Sequence, residues 1–320
     1  MGLKTAIAWT HSTWNPWRGC TKVDPTCARC YMFTAQRRYG RDPSVVTRCS
    51  RPVFRMPLSR KWEEVRERCV AEHGQHLVFT CSWSDWFHAD ADEWRDEAWD
   101  IIRQTPGSTY QILTSRPERI LEHLPADWGD GWPNVWMGVT IGTRSQVDRA
   151  DMLRAVPAVR RFISAEPLLG PLLHDAHDPG EPSDDAMAGD GMTHWADDRD
   201  GPELHLGGID WLIAGGESGG RIGRRLVDEA GVPVPHKLGW IRDLRDACTT
   251  RDWCCECGDL NRYHEVFCYR CGAGHPEEQE GGTAFFFKQW GGANSTSHGR
   301  ELDGRTWDEI PTPTAHLLAT

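Results

Sequence analysis

The chain has 320 residues, 39% of them hydrophobic with 17 tryptophans, and a formal net charge of −11. That apolar content supports a large core and excludes a wholly disordered chain, and no run of about 18 apolar residues exists to span a membrane. The N-terminus lacks the apolar stretch and small-residue cleavage site of a secretory signal, so a reducing cytoplasm is the expected compartment. There, cysteines paired at C-x-x-C spacing read as metal ligands and not as a disulfide framework.

In chain order, a first strand is expected around 5–10. A loop follows it with Cys20, Cys27 and Cys30, in the run Trp14-Asn-Pro-Trp-Arg-Gly-Cys-Thr-Lys-Val-Asp-Pro-Thr-Cys-Ala-Arg-Cys-Tyr31. Three cysteines are an odd number for a closed site, and a cubane cluster on three thiolates keeps one iron open. A fourth protein ligand, with Cys49 and Cys81 as candidates, would instead close a structural zinc or electron-transfer site. Between Arg29 and Arg68 lie eleven bases and four acids, so a negatively charged partner is compatible with the acidic whole. The competing reading is a solvated helix surface.

Further strands are expected at 76–83, 109–115, 134–140, 160–166, 210–217 and 284–290, with helices at 92–104, 116–123, 145–154 and 236–248. Strands alternating with helices imply a parallel sheet. The fold class is therefore α/β, a parallel-strand, partial TIM-like barrel, with a doubly wound sheet as competitor. Its domain is expected to span 1–249 and 283–320. Residues 174–208, rich in Gly, Asp and Pro with ten acids between His174 and Gly207, read as an acidic flexible insertion. Residues 250–282 read as an inserted zinc ribbon. There Cys254-x2-Cys257 and Cys268-x2-Cys271 supply four thiolates, with Gly258 and Gly272 relaxing the knuckles. A rubredoxin-like iron site would use the same ligands.

Each strand ends in polar groups, and in parallel α/β folds active sites are built on that face. Arg116 and Lys288 are candidates to bind a carboxylate or phosphate. Glu166 and Glu217 are candidates to hold an amine or ribose hydroxyls, and so are Ser82 and Asp85; each of the six has the alternative of an ion pair or cap. Trp14, Trp17, Trp83 and Trp86 are candidates to stack on a base, against the alternative of core packing.

The run W-N-P-W-R-G-C-x6-C-x2-C-Y resembles the signature of the three-cysteine-motif phage protein family, whose function is largely unassigned. Ser82-x-Ser-Asp85, Leu113-Thr-Ser-Arg-Pro117, Gly138-Val-Thr140, Ser164-Ala-Glu-Pro-Leu-Leu-Gly-Pro171, Trp211-Leu-Ile-Ala-Gly-Gly-Glu-Ser-Gly219 and Phe287-Lys-Gln-Trp-Gly291 resemble its blocks in order. The N-terminal loop also resembles the radical S-adenosylmethionine superfamily, especially its spore-photoproduct-lyase-like branch. The first gap is longer here, six residues where that superfamily usually has three. The resemblance implies a 4Fe–4S cluster on Cys20, Cys27 and Cys30, S-adenosylmethionine on the open iron, an electron donor, and hydrogen abstraction from a nucleotide or nucleic-acid substrate. Gly215-Gly216-Glu217 resembles the motif that contacts the cofactor's amino group, although it follows the sixth strand and not the second. Two alternatives stand beside this reading. One is a non-catalytic nucleic-acid or protein-binding module with two structural metal sites, and the other a non-radical iron–sulfur hydrolase or transferase.

Overall fold

A computed structural model of the chain describes residues 2–173, 203–218, 225–249, 253–254, 260–261, 282–292 and 298–312. Seven strands form one sheet: β1 (Ser12–Trp14), β2 (Leu77–Thr80), β3 (Thr109–Thr114), β4 (Val135–Thr140), β5 (Arg161–Ala165), β6 (Trp211–Gly215) and β7 (Ala284–Gln289). Every neighbouring pair is parallel, and the spatial order follows the chain order throughout. A doubly wound sheet requires the order to reverse at a switch point. None occurs here. With right-handed crossovers always stepping the same way, the helices fall on one face of the sheet.

Side-chain alternation confirms this arrangement. Val78, Ile112, Met137, Ile163, Leu212 and Phe287 point into a large core shared with helix residues. These helices are α2 (Arg60–His73), α3 (Asp92–Arg103), α4 (Asp148–Arg154) and α5 (Pro235–Thr249), while α1 (Tyr31–Arg38) buries Met32 and Phe33 outside that core. The opposite face carries Leu77, Phe79, Trp136, Phe162, Trp211, Ile213 and Phe286, joined by Trp9 and by no helix residue among those buried there. Trp9 reaches Phe79 on β2 at 4.6 Å and Trp211 on β6 at 6.0 Å between ring centroids, so this face is the concave side of a half-barrel filled with aromatic rings. Strands β1 and β7 do not pair, and the sheet stays open.

That packing leaves no room for extra volume. A Cβ on Gly138 of β4 would stand 2.4 Å from the Phe162 ring. Gly138→Ala is expected to lower stability by about 1–3 kcal/mol through overpacking, read from a urea titration.

The structure departs from the sequence expectations, or decides between them, at four places. The first strand is Ser12–Trp14, and 5–10 is not a strand; Trp9 from that segment plugs the concave face instead. Residues 116–123 form two short 3-10 turns, Pro117–Arg119 and Leu121–His123, and end at an extended Leu124. Pro125 follows Leu124 and disfavours helix at that position. Helices α1 and α2 begin in the basic stretch, where helix is one of two competing readings and no bounds are set; at α2, Ser59 accepts from the Trp62 N–H at its start and Gly74, at φ 75°, closes its end. The tail of the acidic insertion is packed and not a free surface. Leu204 and Leu206 are buried in the main core, and the Leu204 N–H donates to the Leu172 carbonyl at 2.9 Å.

The rest of that insertion, 174–202, lies outside the described residues. So do Cys257, Cys268 and Cys271. In the ribbon region, Trp253–Cys254 pairs antiparallel with Leu260–Asn261, with Cys254 opposite Leu260.

Candidate functional site

The C-terminal ends of the strands carry the polar groups named above, and the cysteine loop crosses that same edge between β1 and α1. Two ion pairs between strand ends, and a third from the cysteine loop to α4, organise the edge. The first joins the ends of β2 and β3. Arg116 Nη1 lies 2.9 Å from Asp85 Oδ2, and both side chains are buried. Asp85 also accepts from the Thr114 hydroxyl at 2.7 Å and from the Phe87 and Ser115 N–H groups. The same guanidinium donates to Cys20 Sγ at 3.7 Å, and through Nη2 to the Thr21 carbonyl and hydroxyl. Arg116 therefore acts as a clamp between the sheet and the cysteine loop, and its fork is committed to these partners.

A second clamp holds the other half of the loop. Asp24 caps the short turn Pro25–Arg29 by accepting from the Thr26 and Cys27 N–H groups. Its second oxygen takes Arg149 Nη2 at 2.7 Å, while Arg149 Nη1 donates to the Thr140 carbonyl at the end of β4. Burial opposes ionisation of Asp24, yet the Thr26 and Arg149 hydrogen bonds hold its carboxyl below the usual range. Asp24 stands inside the cysteine motif but is not a cysteine, and Arg149 lies far along the chain, so the sequence reading missed both.

The second ion pair, Lys288 Nζ to Glu166 Oε1 at 2.9 Å, joins β5 to β7. A Cβ on Gly215 would stand 2.8 Å from that carboxylate, and one on Gly216 would stand 2.1 Å from the Trp290 carbonyl. Both glycines thus have a packing reason to lack side chains. Glu217 is buried just beyond β6, where its carbonyl accepts from the Gly292 N–H at 3.3 Å.

Between the two pairs lies Tyr31, the first residue of α1. Its hydroxyl donates to the Ser82 carbonyl at 2.6 Å, and it is close enough to Cys30 and Glu166 to feel both charges. Ser82 in turn accepts from Asn15 Nδ2 at 3.0 Å, and Asn15 Oδ1 accepts from the Trp83 N–H at 2.7 Å. Of the predicted residues, Cys20, Asp85 and Arg116 lie at one side of the edge, Glu166, Gly215 and Lys288 at the other, and Ser82 between them, where it meets Tyr31, a residue the sequence reading did not single out.

Trp14, Trp17 and Trp86 do not stack on a ligand. They are fully buried against one another, with the Trp14 and Trp17 N–H groups donating to the Phe54 and Asp85 carbonyls. Of the four, only Trp83 stays partly open, facing Tyr39 at 6.0 Å between ring centroids.

Cys20, Cys27 and Cys30 are free, half-buried thiols. Burial, aided by the Asp85 carboxylate, pushes the Cys20 thiol up to about 12 against the pull of Arg116, and burial raises Cys30 as well. Cys27 adds to both, so the three sulfurs share one neighbourhood. Among the described residues no three His, Cys, Asp or Glu side chains are grouped closely enough to hold a metal ion. Cys49 and Cys81 are buried in the core and complete no such group.

Residues 4–254 match the family described as a protein of unknown function, DUF5131. The chain belongs to this family. The match runs from the segment before β1 through Cys254, so it takes in the cysteine loop and the ends of six strands, while β7 with Lys288 lies beyond it. No curated protein and no solved structure matches the chain. No helix among the described residues is long and apolar enough to cross a membrane.

Proposed function

We propose that the chain is a radical S-adenosylmethionine-type iron–sulfur enzyme acting on a nucleotide or nucleic acid. The observation that carries this reading is the three-cysteine loop clamped across the strand ends of a parallel half-barrel, with a buried guanidinium directed at one sulfur. The donor set suits the cluster: three soft ligands on one loop leave an iron open. Burial disfavours the thiolate at Cys20 and Cys30, which makes them poor nucleophiles, whereas an iron ion displaces the proton on binding. The thiols as they stand are not yet grouped as a metal site, so loading requires the loop to draw them together.

Bound there, a 4Fe–4S cluster carrying S-adenosylmethionine supplies an electron and a carbon-centred radical able to take hydrogen from a substrate. The chain's own residues have distinct tasks. Cys20, Cys27 and Cys30 hold the irons. Arg116 offsets negative charge at Cys20, and Asp85 fixes Arg116. Glu166 accepts from an amine or ribose hydroxyl and Lys288 donates to a carboxylate or phosphate; the two neutralise each other until a ligand arrives. Gly215 and Gly216 keep β6 low at this edge, and Glu217 and Ser82 line its two sides. In the ribbon, a hairpin with Cys254 on its ladder suits a first zinc knuckle, with Cys257, Cys268 and Cys271 as the other ligands.

A second reading, a binding module with two structural metals, is favoured by the ion pairs, because both strand-end cations are already engaged. One assay separates the readings. The chain is purified without oxygen, its iron, sulfide and zinc are measured, and S-adenosylmethionine with dithionite is added. About four irons per chain and 5′-deoxyadenosine formation that is abolished in Cys27→Ala are expected. Iron without cleavage favours a non-radical hydrolase or transferase, and zinc in place of iron at the trio sinks the proposal.

A further inference from the structure

Beside the cysteine loop lies a cavity of about 350 Å³ that none of the strand-end residues lines. It sits between α1 and a two-stranded ladder in which Trp17 and Arg18 pair antiparallel with Arg48 and Thr47. Arg18, Gly19, Gln36, Arg41, Asp42 and Thr47 face it. The wall is tightly built: Gly19 has φ 92°, and a Cβ there would stand 2.1 Å from the Val45 carbonyl. The Cys20 N–H donates to the Pro43 carbonyl at 2.9 Å, which ties the cavity wall to the first trio cysteine.

The polar inventory of this cavity is out of balance. Gln36 is 1% exposed, and neither its Nε2 nor its Oε1 has a hydrogen-bond partner. A buried carboxamide with nothing to bond to is costly, and such a group in a native fold needs a reason. Arg18 Nε is likewise buried without a partner. Both guanidiniums, Arg18 and Arg41, reach close enough to act on the buried Cys49 thiol, which places two cations around one hollow. Asp42 is occupied by the Ser44 N–H and hydroxyl, so it does not consume either cation's fork in those bonds.

The surroundings have one sign. From Arg29 to Arg51 there are six arginines and a single acid, Asp42, and Arg29, Arg37, Arg38, Arg41, Arg48 and Arg51 are all exposed. Among the described residues, only Arg48 of the six is drawn off by an acid outside this stretch, Glu97. At the rim, Tyr39 is 66% exposed and packs against Trp83, an aromatic platform next to the cations.

We infer that this cavity is a nucleotide-binding subsite that receives a phosphate on Arg18 and Arg41 and a base edge on the Gln36 carboxamide. A carboxamide offers a donor and an acceptor side by side, the complement of a nucleobase edge, and guanidiniums suit phosphate oxygens. A base stacked on Tyr39 extends the same recognition to the next nucleotide of a strand. The inference rests on the nucleotide half of the proposed function and locates it; it requires nothing of the cluster.

Equilibrium binding tests it without turnover, so its failure and a failure of the cluster assay are separate results. The probes are a fluorescein-labelled single-stranded oligonucleotide of mixed sequence, measured by anisotropy over a salt series, and unlabelled mononucleotides as competitors. Arg41→Ala is expected to weaken oligonucleotide binding about tenfold and to reduce the salt slope by about one. Gln36→Leu, checked for fold by circular dichroism, is expected to weaken it with the salt slope unchanged, because a neutral contact releases no counterion. Competition by mononucleotides at the same site assigns the subsite to free nucleotides, and its absence assigns it to a strand. Binding that is untouched by Arg41→Ala, or that Gln36→Leu leaves equal to wild type while heparin displaces the probe, overturns the proposal in favour of a general polyanion surface.

Discussion

Arg116→Ala is expected to lower the unfolding free energy by about 3–5 kcal/mol, the penalty for removing one partner of a buried ion pair. Asp85 would keep its Thr114, Phe87 and Ser115 hydrogen bonds, which places the loss toward the lower end of that range. The cysteine loop loses more than the sheet does, because Cys20 and Thr21 are held by the same guanidinium. Arg116→Lys retains the charge but has a single ammonium where a planar fork now serves three partners, so it should recover only part of the loss. Asp85→Asn in the Arg116→Ala background removes the stranded charge and should restore some stability. Urea titrations of the four proteins measure these differences. A loss below about 1 kcal/mol for Arg116→Ala would place the pair with weak, exposed salt bridges and remove Arg116 from its role as clamp.

Mild acid should destabilise the fold through His76, at the end of the sheet opposite the candidate site. Ser12 Oγ donates to the Leu3 carbonyl, so it can only accept from His76 Nε2 at 2.9 Å. On the other side of the ring, Ser108 accepts from the Trp62 indole N–H and its own hydrogen serves His76 Nδ1 at 2.9 Å. Every hydrogen in this chain is assigned when the imidazole is neutral, and a second ring proton has no acceptor. Burial, followed by the charges of His11 and Arg66, pulls His76 from 6.5 to about 3.

The sign follows from linkage. Above pH 6.5 both folded and unfolded chains carry the neutral ring, and the full stability is present. Below it the unfolded chain takes up a proton that the folded chain refuses until about pH 3. Stability therefore falls by roughly 1.4 kcal/mol per pH unit across that window. Half-buried His11, lowered to about 4 by burial and by His73, adds a smaller slope in the same direction. Unfolding free energies of wild type and His76→Gln between pH 7 and 4 should diverge at neutral pH and converge on acidification. Parallel curves would show that His76 protonates freely in the fold.

Much of the architecture was legible because its signals are local. Apolar runs such as Trp211-Leu-Ile-Ala-Gly215 mark buried strands whatever surrounds them, and their alternation with helices implies a parallel sheet. The edge of polar strand ends was legible for the same reason, since a strand's direction decides which end its last residue occupies. Roles were less legible. Arg116 and Asp85 were open to a ligand or to an ion pair, and that each is the other's partner depends on β2 and β3 lying side by side. The tryptophans of the W-N-P-W motif suggested stacking, yet an indole's large apolar area belongs in the core once its N–H finds a carbonyl.

The cysteine trio shows the same division. From the amino acids alone came its membership, its odd number and its place after the first strand, because spacing along a loop is a property of the chain itself. The aromatic filling of the open half-barrel, the two clamps through Arg116 and Arg149, and the cavity facing Gln36 came only with the tertiary structure. Each joins residues tens of positions apart, and long-range contacts of that kind are set by how the strands stack and twist, which no local pattern records.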